Sequence, residues 1–215
     1  MPRPDREVAV MMEGFGKTSI TIGSASYCDV VLSGEGVAPE HARLIHQGNG
    51  QLLFTNLEQG VTVAGGRQMA PGEHAFFDFH APFTLGSVEL PHDHPAIALM
   101  LMAPGELSAQ PGRIIVGRAA GQATLVIQHP SVSNLHATLA LDEGTVTDHD
   151  SASGTFLAGE RIASGVAAVL PQEGTLYVGA VPITAALLAE LGRAIAAQPG
   201  KPLTRAQPVV AVPGD

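Results

Sequence analysis

The sequence contains no tryptophan, two tyrosines and seven phenylalanines, so aromatics are 4% of its 215 residues. A core made from such a chain is expected to rest on Val, Ile, Leu and Ala. Cysteine is almost absent: Cys28 stands alone, which excludes an internal disulfide framework and fits a reducing compartment. Basic residues are few, 11 against 20 acidic ones, and the formal net charge is -9. This balance argues against the basic face of a nucleic-acid binder and against general attraction to an anionic membrane. An anion would have to be held by a local cluster of donors. The longest apolar run, Ala96 to Ala103, falls far short of the roughly 20 residues of a membrane span. The N-terminal Met1-Pro-Arg-Pro-Asp-Arg leads into a short apolar stretch that Glu13 interrupts, so no secretory signal is expected. A cytoplasmic protein with no direct membrane insertion is the expectation.

Glycine and proline, 25 and 16 residues, are by contrast spread along the whole chain, as many short strands joined by turns require. Hydrophobic residues at 45% and charged ones at 14% suit a packed core rather than disorder.

The chain repeats itself. Ile20-Thr-Ile-Gly-Ser24, Cys28-Asp-Val-Val-Leu32 and Val37-Ala-Pro-Glu-His41-Ala42 return as Ile114-Ile-Val-Gly-Arg118, Ala123-Thr-Leu-Val-Ile127 and Val132-Ser-Asn-Leu-His136-Ala137. Gly60-Val-Thr-Val-Ala-Gly65-Gly-Arg67 lines up with Gly154-Thr-Phe-Leu-Ala-Gly159-Glu-Arg161, and Phe83 to Leu90 with Leu176 to Ile183. The offset is 94 at the first glycine, 95 at the histidine and 93 at the last glycine. Four blocks in one order at nearly constant offset imply a duplicated unit.

Each unit reads as β. Segments such as Ser19 to Ile22, Val30 to Leu32, Leu52 to Thr55, Ala137 to Leu141, Gly144 to Thr147 and Leu176 to Val178 are short and bounded by turn residues. That spacing predicts sandwiches rather than a parallel sheet. Two prolines in Leu90-Pro-His-Asp-His-Pro95 place the join there. Glu7 to Met12 and Ala96 to Ala103 are expected to be the first strands of the two units. After Thr184, a good N-cap, Ala185 to Ala197 reads as a helix that Pro199-Gly200 ends. The expected fold is therefore all-β: two tandem sandwiches over residues 5–92 and 96–190, then a short helix end and a flexible Pro-rich tail over 191–215.

Gly117-Arg118, Ser133-Asn-Leu-His136, and Ser153-Gly-Thr155 followed by Gly159 stand in a fixed order in the second unit. In this pattern the unit resembles the forkhead-associated (FHA) family, and the duplication extends the resemblance to most of the chain. The resemblance implies binding of a phosphothreonine on a partner protein, such as a Ser/Thr kinase or one of its substrates, through loops at one end of the sandwich. Arg118 supplies a planar, permanently charged fork and Ser133 a hydroxyl, both suited to phosphate oxygens. Asn134 is placed to add a donor, and Ser153 and Thr155 to shape the peptide groove. His136 is expected to brace the loops from inside, Gly154 to turn the chain at positive φ, and Gly117 to allow a close backbone approach.

The second unit departs from the family's pattern where Ser153 replaces the Asn that bonds the peptide main chain, and where Ala152 and Ala158 replace polar residues. The first unit keeps Gly23, His41, Gly60 and Gly65, but has Ser24 for the arginine and Ala38 for the serine. Gln59 and Val61 stand there for the Asn and Thr, so a degenerate phosphate site is expected.

Other signals are set aside. Glu13-Gly-Phe-Gly16-Lys17-Thr18 lacks the first glycine of a P-loop and reads as a hairpin between the first two strands. His92-Asp-His94 with His74 or His80 lacks zinc-site spacing. Asp148-His-Asp150 reads as loop structure, with Asp150 opposite Asn56 of the first unit. Neither metal nor cofactor is expected, and no nucleophile–base set supports an enzyme. The composition, rich in Ala and Gly, looks bacterial. The expected function is a phosphothreonine-dependent adaptor or signalling protein; the alternative is a phosphorylation-independent scaffold subunit of a secretion or transport assembly.

Overall fold

The computed structural model describes residues 15–57, 62–108, 110–170 and 172–196. In chain order the first half forms β1 (Ser19–Gly23), β2 (Val30–Val31), β3 (Ala42–His46), β4 (Leu52–Asn56) and β5 (Thr62–Ala64). It continues with β6 (Arg67–Met69), β7 (His74–Phe76), β8 (Phe83–Leu85) and β9 (Val88–Glu89). These strands make two sheets, ordered β2-β1-β3-β4-β7 and β6-β5-β8-β9.

The second half opens with a helix, α1 (Pro95–Met100), followed by β10 (Met102–Pro104), β11 (Arg113–Gly117), β12 (Leu125–Ile127), β13 (Ala137–Ala140) and β14 (Thr145–Asp148). Then come β15 (Thr155–Leu157), β16 (Glu160–Arg161), β17 (Ala167–Val169), β18 (Thr175–Val178), β19 (Val181–Thr184) and the closing helix α2 (Ala185–Ala196). The sheets here are β10-β12-β11-β13-β14-β17 and β16-β15-β18-β19. The order β2-β1-β3-β4-β7 thus returns as β12-β11-β13-β14-β17, and β1/β2 and β11/β12 are both parallel pairs. The chain is two consecutive β-sandwiches of one topology.

Alternation puts the core side chains in place. Ile20 and Ile22 of β1, and Ile114 and Val116 of β11, are fully buried. The core of the second sandwich is aliphatic, as the composition suggests, with Leu125, Leu139, Val146, Leu176 and Ile183 buried. The first differs. Six of the seven phenylalanines fall in it, and Phe15, Phe54, Phe77, Phe79 and Phe83 are buried. Phe54 and Phe83 lie 4.8 Å apart by ring centroid, and Phe77 meets Phe79 edge-on at 5.2 Å. A low overall aromatic count concealed their concentration in one half.

The join also departs from expectation. Ala96 to Ala103 is not one strand: its first part belongs to α1, and only Met102–Pro104 pairs, antiparallel, with β12. Pro95 occupies the first turn of α1, where a missing N–H costs nothing, and His94 Nδ1 caps the helix by accepting from Ala96 N at 3.2 Å. An apolar run of this length is compatible with either a strand or a fully buried helix. Burial decides: Ile97, Ala98, Leu99 and Met100 are all in the core.

α1 lies between the sandwiches and is tied to both. Gly16 N donates to Leu99 O at 3.1 Å and Gln128 N to Leu101 O at 2.7 Å. Asp93, just before the helix, accepts from Thr175 Oγ1 at 3.2 Å. The buried residues of the two halves form one continuous hydrophobic cluster. At the C-terminus Thr184 caps α2 through Leu187 N at 3.3 Å, and Leu187, Leu188 and Leu191 pack inward. The expected strand Glu7 to Met12, and with it the first arm of the expected hairpin, lies outside the described residues, as does the tail from residue 197. Among the described residues no helix is long and apolar enough to cross a membrane.

Candidate functional site

The candidate site lies on the loops at one end of the second sandwich, and its geometry begins with the end of β11. Gly117 comes so close to the 133–136 loop that a Cβ there would collide with the Asn134 carbonyl. This approach lets Arg118 N donate to Ser133 O at 2.9 Å and Ala119 N to Asn134 O at 3.2 Å. Arg118 and Ser133 are thereby neighbours. Arg118 Nε donates to Val132 O at 3.0 Å, which orients the guanidinium. Arg118 is exposed and makes no ion pair among the described residues, so its terminal nitrogens face solvent.

Ser133 is held from the other side. Its Oγ accepts from Ala152 N at 3.1 Å, leaving the hydroxyl proton to be donated elsewhere. Asn134 is exposed, with its backbone carbonyl occupied by Ala119 and its side chain without a hydrogen-bond partner among the described residues. Ser153 is exposed and its hydroxyl has no partner among the described residues.

His136 links the two loops. It is fully buried; Nδ1 accepts from Ser133 N at 3.0 Å, and Nε2 faces Gly154 O at 3.2 Å. An Nδ1 that accepts from a backbone N–H carries no proton, so the ring is neutral and Nε2–H donates to Gly154 O. Burial pushes this imidazole below the usual histidine range, although the Gly154 hydrogen bond and the Asp148 charge act in the opposite sense.

Below it lies a buried carboxylate. Asp148 accepts from Ser151 N at 2.9 Å, Ser151 Oγ at 2.6 Å and Thr155 Oγ1 at 2.6 Å. Burial disfavours its charge, but the bonds from Ser151 and Thr155 outweigh that and hold the group below the ordinary carboxylate range. Ser151 Oγ in turn accepts from Gly154 N at 3.1 Å, and Gly154 completes the turn at φ +87°. Thr155 therefore departs from its expected place in the groove: it is fully buried and its hydroxyl is committed to Asp148.

Sequence reasoning missed two features of this end. One is the Asp148–Ser151–Thr155 network. The other is Arg161, whose Nη2 donates to Ser151 O at 3.0 Å and whose guanidinium lies over Gly154. An exposed second cation thus buttresses the loop that holds Ser133.

Superposing the repeat by register corrects two alignments. Asn56 pairs with Ala42 as Asp148 pairs with Ala137, so Asp148, not Asp150, is the counterpart of Asn56. Thr62 pairs with Leu85 as Thr155 pairs with Val178, so Thr62, not Val61, is the counterpart of Thr155. The first unit therefore retains the threonine. Thr62 Oγ1 donates to Asn56 Oδ1 at 2.9 Å, and His41 Nε2 lies 2.9 Å from the same hydroxyl. Matching glycine to glycine misled because the first unit is one residue shorter between these two positions, and its β5–β6 turn is Gly65-Gly66 where the β15–β16 turn is Ala158-Gly159. Gln59 lies outside the described residues. At Ser24 and Ala38 the backbone bonds of Arg118 and Ser133 recur, Ser24 N to Ala38 O at 2.9 Å, without their side chains.

The other polar signals resolve into structure. His92 meets Phe77 edge-on, Asp93 accepts from Thr175 and His94 caps α1, so the three have separate tasks. Among the described residues no three His, Cys, Asp or Glu side chains could share a metal ion. Lys17 Nζ pairs with Asp29 at 2.7 Å rather than facing an open phosphate cradle.

Fold and loop geometry together define a duplicated β-sandwich whose polar groups gather on the loops at one end. The chain belongs to the FHA-domain family: the FHA domain model matches residues 20–76 and 114–179, more than half of the chain. This is a family of protein-interaction modules. Similar solved structures include the N-terminal FHA domain of S. cerevisiae Rad53p in complex with a phosphothreonine peptide, at 19% identity, TM-score 0.30, 32% of this chain and 56% of that one. The FHA domain of the CT664 protein from Chlamydia trachomatis is another, at 23% identity, TM-score 0.30, 34% of this chain and 71% of that one. The chain thus spans little more than half the length of the first of these. Among curated proteins none matches.

Proposed function

We propose that this protein is an adaptor whose second unit, residues 96–190, captures phosphothreonine on a partner protein, while the first, residues 5–92, has lost the phosphate donors. The observation that carries this reading is the arrangement of Arg118 and Ser133. An exposed guanidinium, oriented through Nε and free of any described acidic partner, stands beside a hydroxyl whose oxygen is pinned by Ala152 N. Neither group is paired with a carboxylate among the described residues, which suits a phosphate carrying about -1.5 to -2 charges. Asn134 and Ser153, exposed on the flanking loops, are placed to meet the peptide main chain. Thr155, His136, Gly117, Gly154 and Gly159 serve the loop architecture.

Calorimetry with matched phosphorylated and unphosphorylated threonine peptides tests this. Binding is expected for the phosphorylated peptide only, and Arg118→Ala should weaken it by roughly tenfold to a hundredfold, the worth of a charge-assisted hydrogen bond. Equal binding of both peptides, or an unchanged affinity in Arg118→Ala, would instead favour a scaffold that works without phosphorylation.

A further inference from the structure

Strand β11 begins next to Gly112 and ends next to Arg118, so Gly112 marks the end of the second sandwich opposite the candidate phosphate site. At that end α2 meets the turn between β13 and β14. Gly192 is a point of close approach, since a Cβ there would come within 2.8 Å of Leu141 Cδ1. The turn is tied to its neighbours: Leu141 N donates to Gly112 O at 2.6 Å and Leu170 N to Gly144 O at 2.8 Å. Between helix and turn opens a cleft of about 520 Å³, with an apolar lining of Leu141, Leu170, Ala185, Leu188, Ala189 and Gly192. Its volume lies in the range of ligand-binding clefts.

The rim is charged. Asp142 lines the cleft, exposed and without an ion pair among the described residues; its Oδ1 accepts from Glu143 N at 3.2 Å. Glu143, Glu173 and Glu190 each follow a lining residue directly in sequence. Against these four acids stand two cations, Arg193 in the lining and Arg113 next to Gly112. The cleft is thus apolar inside and acidic around its mouth.

The chain after α2 carries the complementary pattern. The helix ends at Ala196, and Gly192 and Arg193 of the lining precede that end by about 6 Å at 1.5 Å per residue. Between Arg193 and Asp215 the only charged side chains are Lys201 and Arg205, and Leu203 stands midway between them. In extended backbone, residues at i, i+2 and i+4 share a face, so Lys201, Leu203 and Arg205 would present one leucine framed by two cations. Pro202 favours that conformation by driving the residue before it out of the helical region. Seven residues lead from Ala196 to Leu203, a reach of up to roughly 23–25 Å, which is ample for a return to the cleft.

We infer that residues 201–205 dock back onto the second unit: Leu203 fills the cleft between α2 and the β13–β14 turn, and Lys201 and Arg205 meet the acidic rim at Asp142 and its neighbours. The docked segment covers apolar surface and clamps α2 to the sandwich. It lies at the opposite end from Arg118 and Ser133, so this inference is independent of the phosphothreonine reading.

Amide NMR spectra and hydrogen exchange of the full chain test it. Leu203→Asp, which changes no core residue, should move the resonances of Leu141, Asp142, Gly144, Ala189 and Gly192 while leaving those of Arg118, Ser133 and Ala152 in place. Exchange in the last turns of α2 should quicken severalfold as they lose their cover. Lys201→Glu combined with Arg205→Glu should act in the same direction through the rim. Cleft resonances and exchange rates unchanged in Leu203→Asp would overturn the inference. Differences between wild type and Leu203→Asp that emerge only as protein concentration is raised would put a second copy's segment in the cleft and overturn docking within one chain.

Discussion

Ser151 joins Asp148 to Gly154: its hydroxyl donates to the buried carboxylate at 2.6 Å and accepts from the Gly154 N–H at 3.1 Å. Ser151→Ala removes both bonds and leaves two buried groups short of a partner. The variant should lose about 1–3 kcal/mol of stability, readable as a lower urea midpoint, and should also loosen the loop that positions Ser133. Ala158 offers the converse case. It holds φ +49° in the β15–β16 turn, a conformation unfavourable for an L side chain, and is exposed. Relief of a cost of about 1–2 kcal/mol, partly offset by the greater chain entropy of glycine, should make Ala158→Gly more stable by up to about 1 kcal/mol in the same measurement. The serine and arginine of the candidate site were legible as types in a motif, and so was His136. The burial of Thr155 was not, because a threonine beside a glycine turn reads the same whether its hydroxyl faces a ligand or an internal carboxylate.

At the scale of elements, α1 carries the most consequence. Its six residues contribute no strand, yet Ile97 and Met100 fill the space where the two sandwiches meet. Ile97→Ala should cost about 2–5 kcal/mol through lost burial and the cavity left behind, measured by denaturant unfolding. The helix was read as a strand because eight consecutive apolar residues, Ala96 to Ala103, give no period; only the surrounding surfaces decide which conformation buries them. The capping of α2 by Thr184, in contrast, depends on residues adjacent in sequence and was legible from them. The hairpin turns are intermediate. Glycine marks both, but the shift between Gly65-Gly66 and Ala158-Gly159 emerges only from strand register.

For the whole molecule, a hydrophobic cluster continuous across both halves predicts a single cooperative unfolding transition rather than two. Hydrogen exchange in mild denaturant should deprotect β3 and β4 together with β13 and β14; separate protection levels for the two halves would argue against shared packing. Stability should also fall on mild acidification. Burial pushes His46, His94, His129 and His136 below the usual histidine range. The unfolded chain then binds more protons than the folded one once the pH drops below about 6.5, so stability is lost as the pH falls from there toward the lower folded-state values. The melting temperature at pH 5.5 should accordingly lie below that at pH 7.5.

By itself the sequence determined the duplication, the all-β character, the family pattern and the presence of Ser24 and Ala38 in the first unit where the second has Arg118 and Ser133. All of these reside in residue types at short, regular spacings, where local sterics and hydrogen bonding act. Tertiary structure alone decided that α1 is a helix, that Thr155 turns inward to Asp148, that Arg161 reaches the Ser151 loop, and that Thr175 of the second unit reaches Asp93 at the join. Each depends on surfaces brought together from distant parts of the chain, and burial and hydrogen-bond satisfaction at such meetings have no local signature.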